Sequence, residues 1–110
     1  MRILVVNDDG IEAAGIIRLA ALAKEFGEVW VVAPDAQCSA MSQRITVRGE
    51  LQLRKRADFP VEGVEAYSLS GTPADCVKVA VEYLMKDQLP DIVFSVSKAL
   101  EYKLFSAIGH

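Results

Sequence analysis

The start of the chain alternates between a strand pattern and a helix pattern, and this order most restricts the possible folds. Residues 2–6 form a short apolar run rich in β-branched side chains, which is typical of a buried strand. Residues 12–26 carry apolar side chains at helical spacing, and Gly27 is placed to end the helix. Residues 29–33 form a second apolar run, closed by Pro34. This order predicts a right-handed crossover between two parallel strands.

The middle of the chain has a different period. Residues 44–56 alternate apolar and polar side chains around Gly49, which predicts a half-exposed antiparallel strand pair. A further strand is predicted over 64–69, and Thr72 is placed to cap a following helix. Residues 92–95 form one last apolar strand.

Together these elements predict an α/β fold, with a Rossmann-like, mostly parallel, doubly wound sheet. The small antiparallel insertion lies at about 44–56. Residues 96–110 fit this pattern poorly, and the last strand has few following residues to cover it. We therefore expect an α/β domain over residues 1–95, truncated at its C-terminus, followed by a tail over 96–110 that does not belong to the fold.

Composition and charge exclude several functions. The formal net charge of −3 argues against binding of nucleic-acid polymers, and the basic residues 54–56 are predicted to form a solvated strand end or turn and not a binding patch. The chain has no apolar run long enough to cross a membrane, and its first apolar run is too short for a signal peptide. We expect a cytoplasmic protein whose two cysteines, Cys38 and Cys76, are reduced.

The polar residues after the first strand are the main candidate site. Asn7, Asp8, Asp9 and Gly10 follow that strand directly, and open α/β sheets bind ligands at the carboxyl ends of their strands. Two adjacent carboxylates repel each other, and a hard cation such as Mg²⁺ or Mn²⁺ relieves the repulsion. Gly10 permits close approach of the backbone to a ligand. The alternative from the residues alone is an exposed turn that caps the next helix.

Two further segments carry weaker signals. Ser39 lies in the polar loop after the second strand, where a hydroxyl could reach the same crevice, although loop serines commonly form turns. Gly71 could support an anion at the next helix start, with simple capping as the alternative. The only histidine is His110, the final residue, which disfavours Ser-His-Asp and Cys-His catalysis.

Several of these segments resemble one protein family, the SurE (survival protein) family, in the same order along about 95 residues. The matching segments are MRILVVNDDG at 1–10, AGI at 14–16, VVAPD at 31–35, CSAMS at 38–42 with IT at 45–46, SGTPADCV at 70–77 and PDIVFS at 90–95. Each segment is short, but their number and order make the resemblance specific.

The resemblance implies a divalent-metal-dependent phosphatase that removes phosphate from nucleoside 5′- and 3′-monophosphates. It implies that Asp8 and Asp9 are catalytic metal-binding carboxylates and that Ser39 is a further metal ligand. Asn7, Gly10, Ser39 and Ser95 are implied to bind the substrate phosphate. The metal would be Mn²⁺ or Mg²⁺, and members of this family form homo-oligomers.

The resemblance ends after Ser95. The family continues with Gly-Ile-Asn, whose asparagine completes the metal site, whereas Lys98 stands in that place here. A frameshifted or truncated reading frame is the expected cause, and an inactive remnant that binds a metal weakly is the alternative function. A receiver-like Mg²⁺-binding signalling domain is a remote alternative, because such domains need an aspartate where this strand ends in Ser95 and Val96.

Overall fold

The computed structural model describes residues 1–35, 45–47 and 51–96, with only the backbone described at 45–47. All six strands belong to one sheet, which is covered by two helices. The strands are β1 (Arg2–Asn7), β2 (Glu28–Pro34), β3 (Ile45–Val47), β4 (Leu51–Lys55), β5 (Glu65–Leu69) and β6 (Ile92–Val96). The helices are α1 (Ala14–Ala23) and α2 (Pro73–Val79), and a π-helical segment, Ala80–Leu84, continues α2.

The sheet confirms the predicted fold class. Its strand order is β3-β4-β5-β2-β1-β6. β1 pairs in parallel with both β2 and β6, and β2 pairs in parallel with β5. β3 and β4 pair antiparallel, which is the small insertion predicted at about 44–56, and β4 also pairs antiparallel with β5. The chain leaves β1 toward β2 on one side and later returns to β6 on the other, so β1 lies at the point where the winding changes direction.

Each face of the sheet has its own hydrophobic core. The α1 face buries odd-numbered residues of β1 and β2 together with the inner side of α1, and includes Ile3, Val5, Ile16, Ala20, Val29 and Val31. The α2 face buries the alternate strand positions and includes Leu4, Val6, Val32, Leu69, Cys76 and Val79. This arrangement explains why the β1 run is continuously apolar, since its side chains are buried on both faces of the sheet.

Helix α1 is shorter than the helix predicted over 12–26. Its last turn tightens at Glu25 and Phe26, whose amides donate to carbonyls three residues back. Phe26, the last residue of the predicted helix, lies beyond its observed end, and its side chain is 68% exposed. Helix propensity alone does not set this boundary, since the chain must turn into β2 at Glu28.

The predicted cap of α2 is confirmed as a reciprocal capping box. The Asp75 amide donates to the Thr72 hydroxyl oxygen at 3.2 Å, and the Thr72 amide donates to the Asp75 carboxylate at 3.0 Å. Pro73 occupies the first helical position, where a missing N–H costs nothing. These contacts begin the helix at a defined residue and so hold Cys76 and Val79 against the sheet.

Strand β6 is the edge of the sheet, and its apolar side chains are largely uncovered. Ile92, Val93 and Phe94 are all exposed, on both faces of the strand. Residues 97–110 lie outside the described residues, so the expectation that the last strand has little to cover it stays a prediction. Within residues 1–35, 45–47 and 51–96, no helix has the length and apolar character needed to cross a membrane.

Substitution of Thr72 tests the capping box. We expect Thr72→Ala to lower the free energy of unfolding by about 1 kcal/mol, because Ala cannot accept the bond from the Asp75 amide. Chemical denaturation measures this change. Thr72→Ser keeps the hydroxyl and should retain most of the stability. Equal losses in both variants would show that the methyl group, and not the cap, matters.

Cys76 offers a second test of the core. Burial is the main cause that raises the pKa of its thiol from 9.0 to about 12. In a Cys38→Ser variant, where Cys76 is the only thiol, we expect a thiol reagent at pH 8 to react only as fast as the protein unfolds. Fast labelling of the native protein would contradict the packing.

The same pKa shift predicts a pH dependence of stability. A pKa raised in the folded state stabilises that state fully below pH 9.0, and this contribution is lost as the pH rises toward about 12. A Cys76→Ala variant should therefore lose less stability than the parent between these two pH values. Parallel curves for the two proteins would contradict the shift.

Candidate active site

The turn after β1 is held by a buried side chain. Asn7, only 1% exposed, forms two hydrogen bonds with Gly10. Its Nδ2 donates to the Gly10 carbonyl at 2.9 Å, and the Gly10 amide donates to its Oδ1 at 3.2 Å. Asn7 therefore closes the turn around Asp8 and Asp9. Both of its polar groups are engaged within the turn, so its contribution to a phosphate site would be to shape that turn.

Gly10 supplies a backbone conformation that other residues rarely adopt. Its φ of 109° lies in the region that favours glycine. Past this residue the Ile11 amide donates to the Pro34 carbonyl at 3.1 Å, which places the loop over the carboxyl end of β2. The Gly10 carbonyl accepts from Ala13 at 3.2 Å, just before α1 begins. The turn thus joins β1, β2 and α1 at one edge of the sheet.

Asp8 and Asp9 project from this turn with different exposure. Asp8 is exposed and Asp9 is half-buried. Within the described residues no group of three His, Cys, Asp or Glu side chains could hold a metal. The site therefore offers two carboxylates, which fits Mg²⁺-type binding through one or two carboxylates, water and substrate phosphate. Ser39, the third predicted ligand, lies outside the described residues.

The carboxyl end of β6 lies beside this turn. Ser95 is the register partner of Val6, and Val96 is the partner of Asn7. Adjacent strands are about 4.8 Å apart, so the predicted residues Asn7 and Ser95 reach the same edge of the sheet. The Ser95 side chain is exposed there. The chain next leads to Lys98, which lies outside the described residues.

A buried ion pair lies at the end of β2, where the sequence predicted no site. Arg54 Nη2 donates to Asp35 Oδ1 at 3.0 Å, and the Arg54 side chain is only 2% exposed. The expectation that residues 54–56 form a solvated strand end is therefore wrong for Arg54, although Lys55 is exposed. The physical reason is the two-residue period of β4, which turns Arg54 toward the α1 face and Lys55 away from it.

Arg56 joins two parts of the chain that are distant in sequence. Its guanidinium contacts Glu12 and Asp58, each at 3.2 Å. The hydrogen bond from Arg56 holds the pKa of the Asp58 carboxyl below its ordinary value. The same bond to Asp58 is the main cause that raises the pKa of Arg56. Glu12 follows the β1 turn by two residues, so this ion-pair cluster borders the candidate site.

The remaining polar candidates have structural roles. Thr72 and Asp75 are used in the capping box, which favours capping over anion binding at that helix start. Cys76 is fully buried, and Cys38 and His110 lie outside the described residues. The described residues therefore bring Asn7, Asp8, Asp9, Gly10 and Ser95 together and leave Ser39 and Lys98 unplaced.

Comparison with known proteins identifies one family. A family model described as survival protein SurE matches residues 3–97. The chain is 50% identical over 95 residues to a 5′-nucleotidase SurE of Alkaliphilus metalliredigens, covering 86% of this chain and 37% of that protein. It is also 50% identical over 93 residues to the 5′-nucleotidase SurE of Cytophaga hutchinsonii, covering 84% of this chain and 35% of the relative.

A solved structure agrees with these matches. The crystal structure of the SurE protein from Aquifex aeolicus superimposes with a TM-score of 0.65 at 34% identity, covering 87% of this chain and 37% of that one. The chain thus spans little more than a third of the length of the relatives that it matches.

Substitution of Gly10 tests the turn. We expect Gly10→Ala to lower the free energy of unfolding by about 1–3 kcal/mol, because a Cβ strains the backbone at a φ of 109°. It should also weaken Mn²⁺ binding, because the strained turn no longer places Asp8 and Asp9 correctly. Chemical denaturation and calorimetric titration with Mn²⁺ measure the two effects.

Gly63→Ala is the matched control. Gly63 also has a positive φ, of 80°, but lies between β4 and β5, where the added Cβ would meet the Lys24 side chain. This variant should lose stability while keeping its Mn²⁺ affinity. Equal loss of affinity in both variants would show that the effect of Gly10→Ala is general destabilisation.

Proposed function

The chain belongs to the SurE family, and from this membership we propose that the protein is a metal-dependent phosphomonoesterase. Its proposed substrates are nucleoside 5′- and 3′-monophosphates, which are hydrolysed to nucleoside and phosphate. The relatives named 5′-nucleotidase support the nucleotidase assignment. In this molecule a single observation carries the proposal, namely the adjacent carboxylates of Asp8 and Asp9. They lie on a turn closed by hydrogen bonds between Asn7 and Gly10, after the strand at which the order of the sheet changes direction.

Asp8 and Asp9 are the proposed metal-binding residues, with Mn²⁺ or Mg²⁺ as the cation. Hard oxygen ligands and an open coordination shell suit both ions. Ser39 is proposed as a further ligand on the basis of its match to the family motif. When bound, such an ion supplies Lewis-acid polarisation of a phosphoryl oxygen and lowers the pKa of a bound water.

The residues of the chain have separate proposed tasks in this reaction. Asn7 keeps the turn closed, so that Asp8 and Asp9 remain next to each other at the mouth of the crevice. Gly10 leaves room for the phosphate, because it has no side chain to block the approach. Ser95, which is exposed at the end of β6, is proposed to donate a hydrogen bond from its hydroxyl group to a phosphate oxygen.

A second candidate is metal binding without turnover. Lys98 stands where the family has its asparagine ligand, and its ammonium would repel a cation held by the two carboxylates. This residue favours weak binding and slow or absent hydrolysis in the 110-residue chain. The two candidates differ only in whether phosphate is released.

We further propose that the protein is cytoplasmic and forms homo-oligomers. Strand β6 supports association, because its apolar side chains Ile92, Val93 and Phe94 are exposed and contact with a second copy would bury part of them.

Phosphate release from nucleoside monophosphates, with and without Mn²⁺, tests the proposed reaction. We expect release only with Mn²⁺ and loss of at least about a hundredfold in Asp8→Asn, since the charge that holds the cation is reduced. Asp87→Asn changes the same type of group at an exposed position outside this site and should leave the rate unchanged.

Calorimetric titration with Mn²⁺ separates the two candidates. Binding that depends on Asp8, without phosphate release, would favour the second candidate. Release that persists in Asp8→Asn, or Mn²⁺ binding unaffected by that substitution, would remove Asp8 from the metal site.

A further inference from the structure

A cavity lies on the α1 face, next to the candidate site but separate from Asp8 and Asp9. Its volume is about 260 Å³. The apolar part of its wall consists of Ile11, Ile17, Phe59 and Pro60. Ile17 and Phe59 are half-buried and pack against the α1-face core, which fixes their positions. The cavity therefore has a rigid apolar wall that includes one aromatic ring.

The size of the cavity restricts its ligand. Pockets for whole drug-sized molecules measure about 300–1,000 Å³, so this cavity is smaller than such a pocket. It suits one planar ring system better than a complete nucleotide. An aromatic side chain in the wall favours such a ring, because stacking on a base is worth about 1–3 kcal/mol.

The polar rim of the cavity accepts hydrogen bonds. Arg56 is held between Glu12 and Asp58 and has its charge satisfied by them. The two carboxylates are 61% and 74% exposed, and each can accept further hydrogen bonds. The rim therefore suits a ligand with N–H donors on its edge. The excess of one negative charge among these three groups disfavours an anionic ligand.

The chain path links the cavity to the proposed metal site. Glu12 follows Asp9 by three residues, so their Cα atoms lie at most about 11 Å apart. The loop between them is fixed by the bond from the Ile11 amide to the Pro34 carbonyl. A phosphate at the carboxylates and a ring in the cavity would therefore be separated only by one short loop, whose position this bond helps to fix.

We propose that this cavity is the subsite for the nucleobase of the substrate, and that it selects bases bearing an exocyclic amino group. The ring stacks on Phe59, and the amino group donates to Asp58 or Glu12. This inference rests on the proposed function for its substrate class. If the ion pairs of Arg56 with Glu12 and Asp58 served only to stabilise the fold, no open cavity would be needed beside them.

Titration of the isotope-labelled 110-residue chain with adenosine tests the subsite without phosphate or metal. We expect the amide signals of Glu12, Asp58 and Phe59 to shift. Purine riboside, which lacks the amino group, should bind more weakly by about tenfold or more, the loss expected for one hydrogen bond to a charged acceptor.

Variants at the cavity assign the contact. Asp58→Asn should weaken adenosine binding more than it weakens purine riboside binding. Phe59→Leu keeps an apolar side chain in the wall but removes the stacking face, so it should weaken both ligands equally. Asp87→Asn is the matched control and should change neither.

The outcomes separate the subsite from the proposed reaction. If adenosine shifts the amide signals of the cavity residues in a chain that releases no phosphate, the proposed subsite is supported and only the proposed reaction is contradicted. The proposed subsite would be overturned if the chain releases phosphate with metal but adenosine does not shift the amide signals of the cavity residues. It would also be overturned if Asp58→Asn and Phe59→Leu both leave the adenosine affinity unchanged.

Discussion

The rest of the structure depends on the burial of β1 between two parallel strands and two helical layers. Its four apolar residues Ile3, Leu4, Val5 and Val6 are essentially inaccessible to solvent. Full burial of such side chains is worth about 1.5–3 kcal/mol each. A strand held this firmly fixes the position of the turn that follows it. The candidate site has a defined position because it begins at the end of a strand that is buried on both faces of the sheet.

Local patterns were sufficient to predict most of the fold. The continuous apolar runs of β1 and β2 reflect burial on both faces of the sheet, and the alternation around β3 and β4 is typical of burial on one face. Such patterns are visible in the sequence because buried positions require apolar side chains. The end of α1 was predicted less well. Phe26 fits the helical period, but the turn into β2 at Glu28 ends the helix first, and that constraint is not visible in periodicity.

The candidate site was predictable only where it is local in sequence. Asn7, Asp8, Asp9 and Gly10 are consecutive, so topology alone brought them to the edge of the sheet. The contact between Arg54 and Asp35 joins a residue of β4 to one just after β2, 19 positions apart in the sequence. The basic run around Arg54 was therefore interpreted as a solvated strand end. The only signal was the two-residue spacing that places alternate residues of β4 on one face.

The central proposal is that the turn after β1 holds a divalent cation. Paramagnetic broadening of amide signals by substoichiometric Mn²⁺ tests this most directly, because the broadening marks residues close to the ion. We expect the signals of residues 7–10 to broaden first, together with those of Ser95 and Val96 at the end of the neighbouring strand. Broadening centred on Asp58 and Glu12, or absent from residues 7–10, would contradict the site.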